Sequence, residues 1–265
     1  MPRKVRKVAI VTGSATGIGA AIAQALARAG WNLVINFTKS AKEARRTAVA
    51  CRRSGADVLL LAGDVSQDAD CRAIVRSALA RWRRIDALVN NAGMTKFVKA
   101  EHLAGLSAED FQHIFSVNLV GAFQMTRAAA PALRKAEGAV VNISSHSGFT
   151  GLGSSMAYAA SKGALNTMTL ALARTLAPKI RVNAVCPGFV DTRWTRQRMT
   201  AAAYRKFKRG IEQTAPLRRM VQAEDVAEAA LWFIAGGRSI TGQLLVIDGG
   251  NHLNVSEPLT LRHRR

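Results

Sequence analysis

The sequence predicts an α/β fold: a parallel sheet of seven strands with helices on both faces. Three observations carry this. Short runs rich in Val, Ile and Leu alternate along the chain with longer helical patterns. The runs are apolar throughout rather than alternating with polar residues, as strands buried on both faces are. No internal repeat, low-complexity linker or Pro/Gly-rich boundary interrupts the alternation. Residues 1–265 are therefore expected to form one domain, with a core over about 5–250 and a basic tail over 251–265.

The elements follow in order. The first strand is expected over Lys7–Thr12, where KVAIVT runs into a glycine-rich turn and a helix near 17–29. Asn32–Phe37 and Asp57–Ala62 are the second and third strands, each built of four or more apolar residues and each followed by a helical pattern, near 41–54 and 67–82. Ala87–Asn90 is a short fourth strand before a long helical pattern over 108–134. Ala139–Ser144 precedes a helix over 157–177, and Arg181–Val185 precedes helical patterns over 195–212 and 224–235. Gln243–Ile247 closes the sheet before Asp248-Gly249-Gly250.

Composition bounds the function classes. With 265 residues, 49% hydrophobic and 21% charged, the chain buries a full core and is not disordered. Cys51, Cys71 and Cys186 are odd in number and scattered without a CxxC, against a disulfide scaffold or zinc site; no metal is expected. No apolar run approaches the ~18 residues of a membrane span. The apolar stretch after MPRKVRK is too short for a secretory leader, so a cytoplasmic protein with no membrane partner is expected.

Charge is the unusual quantity. Thirty-eight Lys and Arg against 17 Asp and Glu give +21. Residues 72–84 carry five arginines and no acid, and residues 193–219 carry nine basic residues against Glu212 alone. Such a field attracts anions. Nucleic acid, acidic carrier proteins and phosphorylated cofactors are the candidate partners; compositional bias toward Arg in an Ala-rich chain is the plainer reading and stays open.

The first strand leads into Thr12-Gly13-Ser14-Ala15-Thr16-Gly17-Ile18-Gly19. Glycines there permit a tight turn and close approach of a pyrophosphate, which the following helix N-terminus stabilises through its N–H groups and dipole. The second strand ends Asn36-Phe37-Thr38-Lys39-Ser40, and the next acid is Glu43. The carboxylate that would take the ribose of NAD is missing there. Thr38, Lys39 and Ser40 would suit a 2′-phosphate, so NADP(H) is expected over NAD(H), with a solvated Lys39 as the alternative. Asp64, beside Val65 at the end of the third strand, either accepts from adenine or supports the turn, with Ser66 as cap of the next helix. Asn90-Asn91-Ala92-Gly93 ends the fourth strand, where such a sheet opens its ligand crevice.

Tyr158 and Lys162 are spaced i, i+4 in a helical pattern, which puts phenol and ammonium on one face. A cation there favours phenolate, as a phenolic acid/base needs. Ser145 closes the fifth strand thirteen residues upstream, and Asn118 interrupts an apolar stretch of the long helix. A strand-end serine is otherwise a turn or cap residue, and a mid-helix asparagine otherwise faces solvent.

With these residues in this order, the sequence resembles the short-chain dehydrogenase/reductase family over roughly residues 5–250, from TGxxxGxG to Pro187-Gly188 and Asp248-Gly249-Gly250. The resemblance implies a single Rossmann-type, doubly wound seven-stranded sheet, a homotetramer, and NAD(P)-dependent carbonyl–alcohol interconversion. It implies Tyr158 as proton donor or base and Lys162 on the nicotinamide ribose, lowering the Tyr158 pKa. Ser145 would lie on the substrate oxygen, and Asn118 would support a water linking Lys162 to solvent. The cofactor would meet Gly13, Ser14, Thr16, Gly17, Ile18, Gly19, Thr38, Lys39, Asp64, Val65, Asn91, Ala92 and Gly93, then Pro187, Gly188, Val190 and Thr192. His146, Phe149, Met156, Phe189 and Trp194 are the substrate-wall candidates, although His146 is more readily placed in the turn.

Within the family the pattern is most like 3-oxoacyl-acyl-carrier-protein reductases; sugar, steroid and other alcohol dehydrogenases share the motifs. An acyl thioester on coenzyme A or an acyl carrier protein is the expected substrate class, with Arg134, Lys135, Lys179 and the 193–209 cluster placed around the active-site mouth. Two departures stand out: Thr95–Ser107 is long, and the charge is high. The second keeps open a nucleotide-sensing or nucleic-acid-binding protein on this scaffold, though the complete catalytic set speaks against it.

Overall fold

The structure, a computed structural model, describes residues 5–196 and 199–253. Seven parallel strands lie in the order β3-β2-β1-β4-β5-β6-β7. They are β1 (Val8–Val11), β2 (Asn32–Phe37), β3 (Val58–Ala62), β4 (Ala87–Asn90), β5 (Ala139–Ile143), β6 (Arg181–Pro187) and β7 (Leu244–Ile247). The register is continuous across the centre: Val11 stands beside Ile35 on one side and Val89 on the other. Strand order reverses at β1 and β4, where an open α/β sheet forms its ligand crevice beyond the strand C-termini.

The helices are α1 (Gly17–Arg28), α2 (Ala41–Arg53), α3 (Asp68–Trp82), α4 (Ala108–Phe115), α5 (Gly121–Ala136), α6 (Ser147–Thr150), α7 (Met156–Leu176), α8 (Arg193–Arg196), α9 (Ala201–Thr214) and α10 (Ala223–Ala235). Alternate strand residues feed two cores. Ala9, Val11, Leu33, Ile35, Val89 and Val141 pack under α1, α2 and α10, while Ile10, Val34, Leu88, Val140 and Val182 pack under α3, α5 and α7. Both faces are covered, which is why the strands are mostly apolar on both sides rather than alternating with exposed polar residues.

Three expectations are corrected. The helical pattern over 108–134 is three pieces, because a π-helical turn, Ser116–Val120, separates α4 from α5. The pattern over 195–212 is two helices, α8 and α9, with Thr200 capping α9 through the Ala203 N–H at 3.2 Å. Arg134, Lys135 and Lys179 do not border the crevice. They lie where β5 and β6 begin, with Lys179 paired to Glu137 at 2.6 Å, at the opposite end of the sheet. The tail beyond Leu253 and Arg198 of the basic cluster fall outside the described residues.

Candidate active site

A cavity of about 1060 Å³ runs along the C-terminal edge of the sheet, from the β2 end to the start of α7. That is at the upper limit of the roughly 300–1,000 Å³ typical of ligand pockets. Thr16, Gly17 and Ile18 line it where α1 begins. Gly13 and Gly17 are left-handed, at φ +60 and +57, a conformation that favours glycine. A Cβ on Gly13 would come 2.8 Å from Ala92 Cα. Thr16, the cap residue of α1, makes no side-chain capping bond, and no acid lies in the first turn, so the N-terminal N–H groups face a site suited to an anion.

The structure divides the expected nucleotide residues. Gly13, Thr16, Gly17, Ile18, Thr38, Lys39, Asp64, Val65, Asn91, Ala92, Gly93, Pro187, Gly188, Val190 and Thr192 all line this cavity. Ser14 does not. Its hydroxyl donates to the Val11 carbonyl at 2.7 Å and accepts the Asn36 N–H at 3.1 Å, locking the turn to β2 from inside. Gly19 is also inside, where a Cβ would fall 2.7 Å from the Gly13 carbonyl oxygen. Asp64 supports its turn, accepting the Ser66 N–H at 2.9 Å and hydroxyl at 2.8 Å. The cap residue of α3 is Gln67, not Ser66. Asn36, a residue the sequence reading did not single out for a role, ties Gly13 to Gly63 through its amide at 3.2 and 3.0 Å.

The catalytic candidates converge at the other end. Ser155 caps α7 by accepting the Tyr158 N–H at 3.2 Å, which fixes the first turn carrying Tyr158 and Lys162. Lys162 Nζ donates to the Ile143 carbonyl at 2.9 Å and stands 5.7 Å from the Tyr158 ring centre. Ser145 Oγ accepts the Ser147 N–H at 3.1 Å and hydrogen-bonds the Ser147 hydroxyl at 3.0 Å. Asn118 sits in the π turn, a feature frequent at functional sites. Its Oδ1 accepts the Met94 N–H at 2.8 Å and its Nδ2 donates to Ser161 Oγ at 2.9 Å. The ideal Cβ position on Gly93 lies 3.4 Å from Asn118 Oδ1 and 3.8 Å from Lys162 Nζ, so both groups border the space over Gly93.

Burial sets the electrostatics. It pushes the Tyr158 phenol up to about 12, with a hydrogen bond to Ser145 working the other way. It pushes the Lys162 ammonium down to about 8. Burial thus outweighs the lowering expected from Lys162, and the phenol is raised in this arrangement.

Of the substrate-wall candidates, His146, Phe189 and Trp194 line the cavity; Phe149 and Met156 do not, and both are exposed. His146 is buried, with Nδ1 3.6 Å from Asp248 Oδ2 and its ring edge-on to Phe189 at 5.6 Å. Burial lowers its pKa, with the Asp248 charge opposing, so the ring is neutral at pH 7. Phe97, Val98, His113, Met199 and Phe207 also line the cavity and were missed. The long Thr95–Ser107 stretch was the signal for the first two. Its Val98 N–H donates to the Ser154 carbonyl at 2.9 Å, which brings it over the site. Among the described residues no group of three His, Cys, Asp or Glu is arranged to hold a metal, and no helix is long and apolar enough to cross a membrane.

A nucleotide cradle and a Ser–Tyr–Lys set sharing one crevice define a nicotinamide-type oxidoreductase, and the comparisons agree. A family model described as enoyl-(acyl carrier protein) reductase matches residues 13–252. A ketoacyl reductase assigned to the granaticin polyketide synthase of Streptomyces violaceoruber is 42% identical over 93% of this chain and 96% of its own. The 3-oxoacyl-acyl-carrier-protein reductase FabG of Staphylococcus aureus is 32% identical over 94% and 100%. A structure described as a short-chain dehydrogenase/reductase from Burkholderia xenovorans superposes with TM-score 0.89 at 41% identity, covering 95% of this chain and 100% of its own. The chain belongs to the short-chain dehydrogenase/reductase family and is an oxidoreductase.

Proposed function

We propose that this protein reduces the ketone of a 3-oxoacyl thioester, carried by coenzyme A or an acyl carrier protein, using NADP(H) in preference to NAD(H). The carrying observation is that Ser145, Tyr158 and Lys162 border the same cavity as the glycine turn and Lys39. The glycine conformations and the uncapped α1 N-terminus fit a dinucleotide pyrophosphate. Thr38 and Lys39, with no acid before Glu43, suit a 2′-phosphate. When bound there, the nicotinamide supplies or accepts the hydride.

The chain's own residues manage the oxygen and the proton. Ser145 positions the substrate oxygen, its hydroxyl held by Ser147. Tyr158 keeps its proton on the phenol oxygen at neutral pH and gives it to the carbonyl oxygen during reduction. Lys162 would hold the nicotinamide ribose hydroxyls, and Asn118, whose Oδ1 lies beside Gly93 near Lys162, would support the route by which the proton is replaced. The substrate class is supported by the names of the relatives above and by the cations of α8 and α9 at the mouth. Exposed Phe111, Phe123 and Leu170 on α4, α5 and α7, and Trp232 and Leu245 on α10 and β7, support a homotetramer. A cytoplasmic setting is part of the same reading.

The test follows nicotinamide absorbance with a short 3-oxoacyl thioester and NADPH, beside NADH, for the wild type and Tyr158→Phe. NADPH turnover that falls about 10²–10⁴-fold in the variant is the expected result. The second reading, a sugar or other alcohol dehydrogenase, is favoured by an L-fucose dehydrogenase of Bos taurus that is 36% identical over 95% of this chain. Silence on thioesters with oxidation of L-fucose would select it. Tyr158-independent, salt-sensitive binding of nucleic acid without turnover would select a non-catalytic role.

A further inference from the structure

We infer that Arg193, carried on the segment that follows β6, is a second cationic ligand for the 2′-phosphate of the cofactor, and that Glu43 parks it when that phosphate is absent. This rests on the NADP(H) reading of the site. The geometry begins at Thr192. A Cβ on Gly17 would stand 3.7 Å from both Thr192 Cβ and Cγ2, so Thr192 lies over the turn that opens α1. The next residue, Arg193, reaches across to α2, where its Nη1 stands 2.9 Å from Glu43 Oε1. Glu43 lies in the first turn of α2, four residues beyond Lys39, and Thr38, Lys39 and Ser40 join the end of β2 to that helix. The Thr192-Arg193 pair thus reaches from the pyrophosphate turn to the first turn of α2, beside the course that the adenosine half of a dinucleotide takes across such a sheet.

Both Arg193 and Lys39 line the cavity, Glu43 does not, and Arg193 is half-exposed. Two physical consequences follow. Glu43 is the one acid of the first α2 turn, so without Arg193 its charge would oppose a dianionic phosphate bound near Lys39. The Arg193–Glu43 pair is a partly exposed ion pair, worth little in itself, and a phosphate accepting two parallel guanidinium bonds outcompetes it. Exchange of carboxylate for phosphate would also hold Thr192 and α8 down on the cofactor. Specificity for the phosphorylated dinucleotide would then come from both walls of the crevice, β2 on one side and the post-β6 segment on the other.

The experiment measures calorimetric binding of 2′,5′-ADP and 5′-AMP, fragments that lack the nicotinamide, to wild type, Arg193→Met, Glu43→Gln and Lys39→Met. The fragments differ in the 2′-phosphate alone. Arg193→Met is expected to weaken 2′,5′-ADP by about ten- to a hundredfold while leaving 5′-AMP within about twofold. Glu43→Gln is expected to tighten 2′,5′-ADP severalfold, since the competitor is gone. If Arg193→Met keeps the wild-type preference for 2′,5′-ADP, or weakens both fragments equally, the assignment of Arg193 is overturned while the NADP(H) reading stands. If the wild type itself shows no preference for 2′,5′-ADP, the NADP(H) reading fails and this assignment falls with it. Circular dichroism of each variant confirms folding, which the exposure of Arg193 favours.

Discussion

Gly19 and Gly210 make opposite demands on the same substitution. At Gly19 an added Cβ meets backbone, 2.7 Å from the Gly13 oxygen and 2.9 Å from Ser14 Cα, so the turn must deform. Gly19→Ala is expected to cost about 1–3 kcal/mol and to abolish tight nucleotide binding, read by thermal melting and calorimetry. Gly210 is in the middle of α9 with nothing within 4 Å of a Cβ, so Gly210→Ala is expected to stabilise by about 0.5–1 kcal/mol. Lys162 carries a pH prediction. Its folded pKa near 8 lies below the ordinary 10.5, so between those values the unfolded chain binds more protons and stability rises with pH. Wild type is expected to gain on the order of 2 kcal/mol relative to Lys162→Met between pH 8 and pH 10, measured by urea unfolding at pH 8, 9 and 10. A flat difference would show that Lys162 keeps its ordinary pKa in the fold and stays charged across that window. At this scale residue type and spacing marked Tyr158, Lys162, Ser145 and Asn118, because their chemistry is unusual for their places. Which way a small side chain turns is set by tertiary partners, so Ser14 and Phe149 were legible as neighbours of the site and not as members or bystanders of it.

Elements set the precision of the site. The π turn buries Asn118 behind the crevice beside Gly93, with its amide spent on Met94 and Ser161. The sequence shows one amphipathic run over 108–134, because a single extra residue in a turn leaves the apolar period intact on either side. The post-β6 segment is the less legible element. Its break between α8 and α9 follows from Asp191, whose nearly buried carboxylate accepts from Tyr204 at 2.6 Å and from Arg196 at 2.6 Å, with Lys208 at 3.5 Å. Burial alone would raise the Asp191 pKa; the Tyr204 and Arg196 hydrogen bonds and the two cations hold it below the usual range. No local pattern announces a hub whose partners lie five, 13 and 17 residues on. Asp191→Asn keeps the shape and removes the charge. It is expected to raise the KM for substrate about tenfold, with kcat changed less, and to speed proteolysis within α9, while the melting temperature falls by no more than a few degrees. An unchanged KM would mean that this hub braces the fold without closing the site.

Two groups of cations lie at opposite ends of the sheet, and that separation makes their role testable. Arg134, Lys135 and Lys179 lie where β5 and β6 begin, away from the crevice. Arg205, Lys206 and Arg209 are exposed on α9, the element whose Phe207 lines the cavity, and make no ion pair among the described residues. A net +21 speeds encounter with any anion, but only cations near the mouth would raise the fraction of encounters that bring the proposed thioester to the site. Their reach is about 10 Å at 0.1 M salt, short against a molecule of this size. Reversing Arg205, Lys206 and Arg209 to glutamate is therefore expected to lower kcat/KM for a coenzyme A or carrier-protein thioester by about tenfold or more at low salt. Reversing Arg134, Lys135 and Lys179 is expected to leave it unchanged, although net charge shifts equally. An uncharged N-acetylcysteamine thioester should respond to neither set, and wild-type kcat/KM should fall with salt for the charged substrates alone. Equal losses from both reversals would mean that the overall field, not its placement at the mouth, governs encounter. A flat salt response with every substrate would leave the basic surface without a part in substrate capture.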